Sequence, residues 1–128
     1  MNLGLEVFGD KWSILIVRDM MFENKRHFRE LLQSEEGIAS NILTDRLGML
    51  EREGIIRKAS DPGHKQKFIY SLTRKGIDLL PILAEIGLWS AKHQPVDPER
   101  IGHARKLGQG GKPLQKKMMK ALEAQHGI

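Results

Sequence analysis

Cysteine is absent from the 128 residues. That excludes disulfides, thiolate metal sites and thiol redox chemistry in this chain, and it suits the cytoplasm. No apolar run approaches the roughly 20 residues of a membrane span. The first residues hold Glu6 and Asp10 and no basic leader, so no signal peptide is expected. No internal repeat and no G-x-S-x-G nucleophile elbow is present. The five histidines (His27, His64, His93, His103, His126) lack metal-ligand spacing, so neither metal nor cofactor is expected. The segment from 108 to 112 superficially resembles a phosphate loop. Pro113 follows its lysine where Ser or Thr is needed, and no buried strand precedes it, so it reads as a turn.

The chain is long enough for one domain with a core and too short for two. Its 40% apolar and 29% charged residues are ordinary for a globular protein. Net charge is +5, which points to an anionic partner, but the distribution matters more than the sum. Residues 1–96 carry 14 Lys+Arg against 13 Asp+Glu, and residues 97–128 carry 7 against 3. Most of the excess therefore lies in the tail. One interior stretch is also basic: Arg57, Lys58, Lys65, Lys67, Arg74 and Lys75 stand against the single acid Asp61.

The chain is organised around 37–54, GIASNILTDRLGMLEREG. At helical spacing Leu43, Leu47 and Leu50 share one face, while Asn41, Asp45, Gly48 and Arg52 share the other, with Thr44 beside them. Gly54 closes the helix. Upstream, Asp10 caps a very apolar helix over 11–22. Residues 25–27 are a polar break with room for a very short strand, and 28–33 form a short helix. Downstream, 55–60 and 67–72 read as two strands around the turn Asp61-Pro62-Gly63-His64. Thr73 then caps a helix to about Lys92, apolar nearly all round, which Pro81 should kink. One small core cannot cover both its faces, so a second subunit is expected there. Leu3, Leu5, Phe8, Leu80, Leu83, Ile86 and Trp89 are the candidate dimerisation residues. After a linker at 93–98, the tail predicts short helices over 99–106 and 114–124, with Leu114, Met118 and Leu122 as a stripe and Lys116, Lys117 and Lys120 outside it.

Two successive helices, the second polar in front, followed by a hairpin with a basic tip, make a winged helix-turn-helix. A helix fits the major groove, where short hydrogen-bonding side chains meet base edges. Ser40, Asn41, Thr44 and Asp45 lie on that front. Arg46 lies nearer the core edge, suited to a phosphate or to an internal acid. A basic loop beside the helix neutralises phosphates, and His64, Lys65 and Lys67 sit on it.

A set of short motifs then becomes specific. They are Gly9-Asp10-Lys11-Trp12, Arg18-Asp19, Phe28-x-Glu30-Leu31, Gly37-Ile38, Leu43-Thr44-x-Arg46-Leu47-x-x-Leu50-Glu51-x-x-Gly54-Ile55-Ile56-x-Lys58, Tyr70-Ser71-Leu72-Thr73-x-x-Gly76 and Trp89. In this order, over about residues 3–93, they resemble the HxlR-type bacterial transcriptional regulators. The resemblance implies a homodimer, built through N- and C-terminal helices, that binds a DNA palindrome and regulates neighbouring genes up or down. Family members often carry a cysteine ahead of the Gly-Asp-Lys-Trp segment, and this chain has none. The usual Ser cap of the recognition helix is Ala39, which leaves Ser40 or a weak cap.

The expectation is an α+β winged helix-turn-helix with N- and C-terminal dimerisation helices. Residues 1–93 form the domain and 94–128 a basic extension of unknown role. The function expected is transcriptional regulation through double-stranded DNA, as a cytoplasmic homodimer with an unidentified small-molecule effector, and no enzymatic activity. The runner-up from another class is a winged helix used as a protein-interaction module without sequence-specific DNA binding.

Overall fold

The computed structural model describes residues 1–63, 67–93 and 102–128, with the backbone alone over 102–109. Among them the element order is α1 (Asn2–Phe8), α2 (Lys11–Phe22), α3 (Phe28–Leu32), α4 (Ser40–Arg52), β1 (Ile56–Ser60), β2 (Phe68–Leu72), α5 (Arg74–Ile77), α6 (Leu80–His93) and α7 (Gly102–Gln125). The chain divides into two compact units, Met1–Gly76 and Ile77–Ile128. The division falls inside the stretch 1–93 and not at the 93–98 linker, because α7 packs along α6. No described helix is long and apolar enough to cross a membrane.

In the first unit, α2 is the central helix. Asp10 caps it, accepting from the Ser13 backbone N–H at 3.1 Å and from its hydroxyl at 2.7 Å. Leu15, Ile16, Val17, Met20 and Met21 are all buried, as the apolar run predicts. α2 packs on α1, α3, α4 and β2. Asp19 is also buried, compensated by Arg18 at 2.8 Å and Lys25 at 3.6 Å; a buried carboxylate needs such partners. Arg18 reaches further, to Glu36 at 2.6 and 3.0 Å. It thereby ties α2 to the turn that leads into α4.

α4 buries Leu43, Leu47 and Leu50. Its N-cap is Ala39, with no side-chain hydrogen bond, so the weaker of the two expected starts is the one present. Its C-terminus is better finished. Gly54 takes φ +71°, its N–H donates to the Glu51 carbonyl at 3.0 Å, and the Ile55 N–H donates to Leu50 at 2.9 Å. That is the Schellman pair, and it requires a left-handed residue at Gly54.

β1 and β2 pair antiparallel, from Ile56 opposite Leu72 to Ser60 opposite Phe68. The polar break upstream forms no strand, but one backbone bond ties it to β2: the Tyr70 N–H donates to the Arg26 carbonyl at 2.8 Å. The Arg26 guanidinium adds bonds to the Tyr70 carbonyl and the Ser71 hydroxyl. Beyond β2, Thr73 caps α5, accepting from the Gly76 N–H at 3.2 Å. A Cβ at Gly76 would lie 2.3 Å from the Ile55 carbonyl oxygen, so only glycine allows α5 this close.

The second unit departs from two expectations. The helix after Thr73 is not one kinked rod. It stops at Ile77 and restarts at Leu80. Pro81 then occupies the first turn of α6, where a missing N–H costs nothing. Leu80 and Leu83, expected on a free dimerisation face, are 0% and 7% exposed within a single chain. The chain's own packing, which the apolar count alone underestimated, already covers them. The exposed apolar residues of α6 are Ile82, Ile86 and Trp89, the last at 65%. On α1, Leu3 and Leu5 are exposed and Phe8 is half-buried.

α7 bends at Gly111, whose φ of 63° and ψ of −158° interrupt the helix. Pro113 follows in the next turn. The predicted split of the tail falls here. The helix before it begins at Gly102, and Glu99 lies outside the described residues. Leu122 is buried, Leu114 and Met118 are half-buried, and Lys116, Lys117 and Lys120 are exposed.

Candidate nucleic-acid interface

The front of α4 carries Ser40, Asn41, Thr44 and Asp45, all exposed. The opposite side is the buried leucine stripe, so the helix cannot roll without uncovering it. The Thr44 hydroxyl donates to the Ser40 carbonyl at 3.0 Å. That leaves its oxygen as an acceptor and its methyl for apolar contact. Asn41 keeps donor and acceptor together on a short stem, the group that pairs bidentately with an adenine edge.

Arg46 has the internal partners its position allowed. Its Nε lies 2.6 Å from Asp10 and its Nη1 2.6 Å from Asp45. The Arg46 guanidinium holds the Asp10 carboxyl below its ordinary range, with burial opposing and the Ser13 bonds helping. One guanidinium therefore joins the cap of α2 to the outer edge of α4 and offsets the charge of Asp45. Arg52 continues the polar face, as its spacing from Asn41, Asp45 and Gly48 predicts. Gly48 leaves open the place where a Cβ would sit 3.3 Å from the Arg52 Nη1, and the Arg52 side chain is exposed on the far end of the front.

The wing divides. Lys67 is exposed just before β2, while His64 and Lys65 lie outside the described residues. Lys58 on β1 stands over the Phe68 ring, 4.1 Å from its centroid. Not every cation of the basic stretch points outward. The Lys75 ammonium donates to the Glu53 carbonyl at 2.6 Å, at the C-terminal end of α4, where a positive charge is favoured.

His27 links the wing to α3. Its Nδ1 lies 2.7 Å from Glu30 and its Nε2 2.9 Å from Asp61, the residue that opens the wing turn. These two carboxylates, Glu30 first, raise the imidazole pKa above its ordinary value against the opposing effect of burial. The Asp61 N–H donates to the Lys67 carbonyl at 3.0 Å, closing the hairpin. This link joins residues 34 apart in sequence; the only local hint was the spacing His27-x-x-Glu30.

A buried leucine stripe, an exposed polar front, a preceding short helix and a two-stranded wing on one compact unit match a known arrangement. Residues 7–98 match the HxlR-like helix-turn-helix family. The chain belongs to the HxlR-like family. It is 33% identical over 90 residues to the HTH-type transcriptional regulator BH0655 of Halalkalibacterium halodurans, covering 70% of this chain and 80% of that protein. It is 31% identical over 90 residues to the HTH-type transcriptional regulator YodB of Bacillus subtilis, with the same two coverages. The reduced form of YodB superposes with a TM-score of 0.62 at 28% identity, over 76% of this chain and 95% of that one. The redox regulator HypR in its oxidised form superposes at 0.63 and 30% identity, over 74% and 97%. The α+β winged helix-turn-helix is the fold of this HxlR-like chain, and its function is that of a DNA-binding transcriptional regulator.

Proposed function

We propose that this HxlR-like regulator is a cytoplasmic homodimer that reads a palindromic operator with α4 and grips flanking phosphates with its wing. The observation that carries the reading is the exposed hydrogen-bonding front of α4 over a buried leucine back. Ser40, Asn41, Thr44 and Asp45 face the bases. Lys67, with His64 and Lys65, serves the phosphates, which set affinity without sequence choice. Arg46 positions α4 through Asp10 and supports the readers next to it. Residues 1–93 are the DNA-binding and dimerising part, and 94–128 a basic extension.

The dimer is supported by apolar side chains left in the open: Leu3 and Leu5 on α1, and Ile82, Ile86 and Trp89 on α6. The α6 trio follows the i, i+4, i+7 spacing of one helix stripe. Obligate interfaces bury such stripes. Light scattering at micromolar concentration should return twice the chain mass; a monomer would remove the palindrome with the dimer. The redox description belongs to HypR. The 128 residues here hold no thiol, so any effector acts through other chemistry.

The deciding experiment is selection of bound duplexes from a random pool, by the parent and by Asn41→Ala. The parent should return two half-sites whose centres lie about one helical turn apart, or a multiple of it. Asn41→Ala should cost roughly 1–3 kcal/mol on that sequence and relax one position per half-site. An identical preference from both proteins would show that Asn41 does not meet a base.

A further inference from the structure

We propose that the notch between the start of α3 and strand β2 binds a small aromatic carboxylate, and that filling it lowers affinity for DNA. The second half rests on the DNA-binding reading; the first half does not. Six residues line a cavity of about 270 Å³: His27, Phe28 and Arg29 on one side, Lys67, Phe68 and Tyr70 on the other. Three are aromatic rings, three carry basic groups, and no carboxylate is among them. Phe68 is 48% exposed, an unusual place for a phenyl ring on a strand whose later residues are buried. Lys58, at 4.1 Å from its centroid, adds a further cation behind the ring.

The basic groups are not equivalent. Both nitrogens of His27 are engaged, by Glu30 and by Asp61, so the imidazole forms wall and not hook. Arg29 and Lys67 are exposed and, among the described residues, have no ion-pair partner. They come from opposite walls, one from α3 and one from the wing. Two available cations in a cavity lined by three phenyl or phenol rings discriminate among ligands. A cation is repelled. A neutral aliphatic molecule leaves both charges unused. A bare phosphate meets the charges and leaves the rings wet. A planar ring bearing one carboxylate uses everything present: its face or edge packs on Phe28, Phe68 and Tyr70, its two oxygens meet the Arg29 fork, and Lys67 supplies the second charge. The volume lies just under the roughly 300–1,000 Å³ of drug-sized sites, which restricts the ligand to a single ring with a short side chain.

Such a ligand would tie the wing to α3 and occupy Lys67, the wing cation assigned above to phosphate. Linkage then requires that DNA weaken the ligand by the same factor by which the ligand weakens DNA. The probe is benzoate, titrated into the full chain without DNA while the ring resonances of Phe28, Phe68 and Tyr70 are followed by NMR. Cyclohexanecarboxylate and inorganic phosphate are the comparison ligands. Saturable shifts of those rings are expected, with binding roughly tenfold weaker in Arg29→Gln and in Phe68→Ala, and weaker for cyclohexanecarboxylate. Both substitutions are at the surface, and unshifted methyl resonances of Leu43 and Leu50 check that the fold persists. No saturable ring shift at millimolar benzoate overturns the site. So does an equal response to phosphate, which would make Arg29 and Lys67 simple phosphate cations. Adding the selected duplex should raise the apparent benzoate dissociation constant. If benzoate binds and the duplex leaves it unchanged, the regulatory half fails. A chain that binds benzoate and no duplex instead overturns the DNA-binding reading.

Discussion

α4 and the wing belong to the same compact unit, yet they are fastened in different ways. α4 is held along its length. Three leucines anchor its back, Arg46 ties its outer edge to Asp10, and Lys75 and the Gly54 turn secure its end. The wing is held by fewer links, Arg26 on β2 and His27 at the start of its turn. The difference matches two kinds of contact. Base edges must be met within hydrogen-bond geometry, so the reader has to be rigid. Phosphates accept long cations over a range of positions, so a hairpin held by a few polar links suffices.

The comparison breaks first at the leucine stripe. Leu50 is fully buried, so Leu50→Ala should cost roughly 2–5 kcal/mol of folding stability, read from the denaturant midpoint. An effect below 1 kcal/mol would mean that the back of α4 is not what fixes it.

Next in size is the ion pair at its edge. Asp10→Ala removes the cap of α2 and one partner of Arg46, and should cost about 1–2 kcal/mol. Arg46→Ala removes a partly exposed pair and should cost about 1 kcal/mol or less. If Arg46 is purely a phosphate contact, Arg46→Ala will leave stability unchanged and lower the salt slope of duplex binding. If it positions α4, stability falls and base preference broadens.

On the wing the expected effect is on binding alone. Lys67→Ala should weaken all duplexes alike and reduce the salt slope by roughly 1 per half-site, with the denaturant midpoint unmoved. A change in sequence preference would give the wing a reading role that its loose fastening does not favour.

How much of this was legible in the sequence follows the range of the interactions. The leucine stripe, the Gly54 terminator and the hairpin are written in neighbouring residues, and the structure has all three, although burial along the two strands does not alternate. Pro81 was read from local rules as a kink. Whether a proline bends a helix or starts one depends on where the preceding helix ends, and that is set by packing. Leu80 and Leu83 looked free because spacing shows a face and not what covers it. The Arg46–Asp10 pair spans 36 residues and the Lys75–Glu53 bond 22. No periodicity connects such positions, although Arg46 was flagged as lying near the core edge. At the DNA-facing surface, the polar front was legible because it is the complement of the stripe. Arg29, on the wall of the notch beside β2, was not legible, because an exposed cation on a five-residue helix has no pattern until β2 is placed beside it.

The smallest expected effect sharpens the comparison most, because it loosens the wing and leaves α4 alone. Imidazolium donates from both nitrogens, whereas the neutral ring has one donor. Only the protonated form of His27 can therefore serve Glu30 and Asp61 together. Because its folded pKa is raised, the stabilisation is complete below the unfolded value of about 6.5 and is lost as pH rises through the folded value. Glu30 sets the acid limit. Burial raises its pKa, but bonds from the Arg26 and His27 backbones and from the imidazole outweigh this, and the net shift is downward. Its contribution is present above the ordinary carboxylate range and fades as pH falls through the lowered value. The link is thus strongest between the two, and raising the pH through the folded His27 value should free the wing turn. Hydrogen exchange at the Asp61 and Tyr70 amides should accelerate as pH rises above about 6.5, beyond the intrinsic pH effect, while the amides of Leu47 and Leu50 keep their protection. His27→Gln should abolish the excess acceleration. If the α4 amides accelerate in step with the wing, the two parts are one cooperative unit, and the contrast between a fixed reader and a hinged wing is wrong.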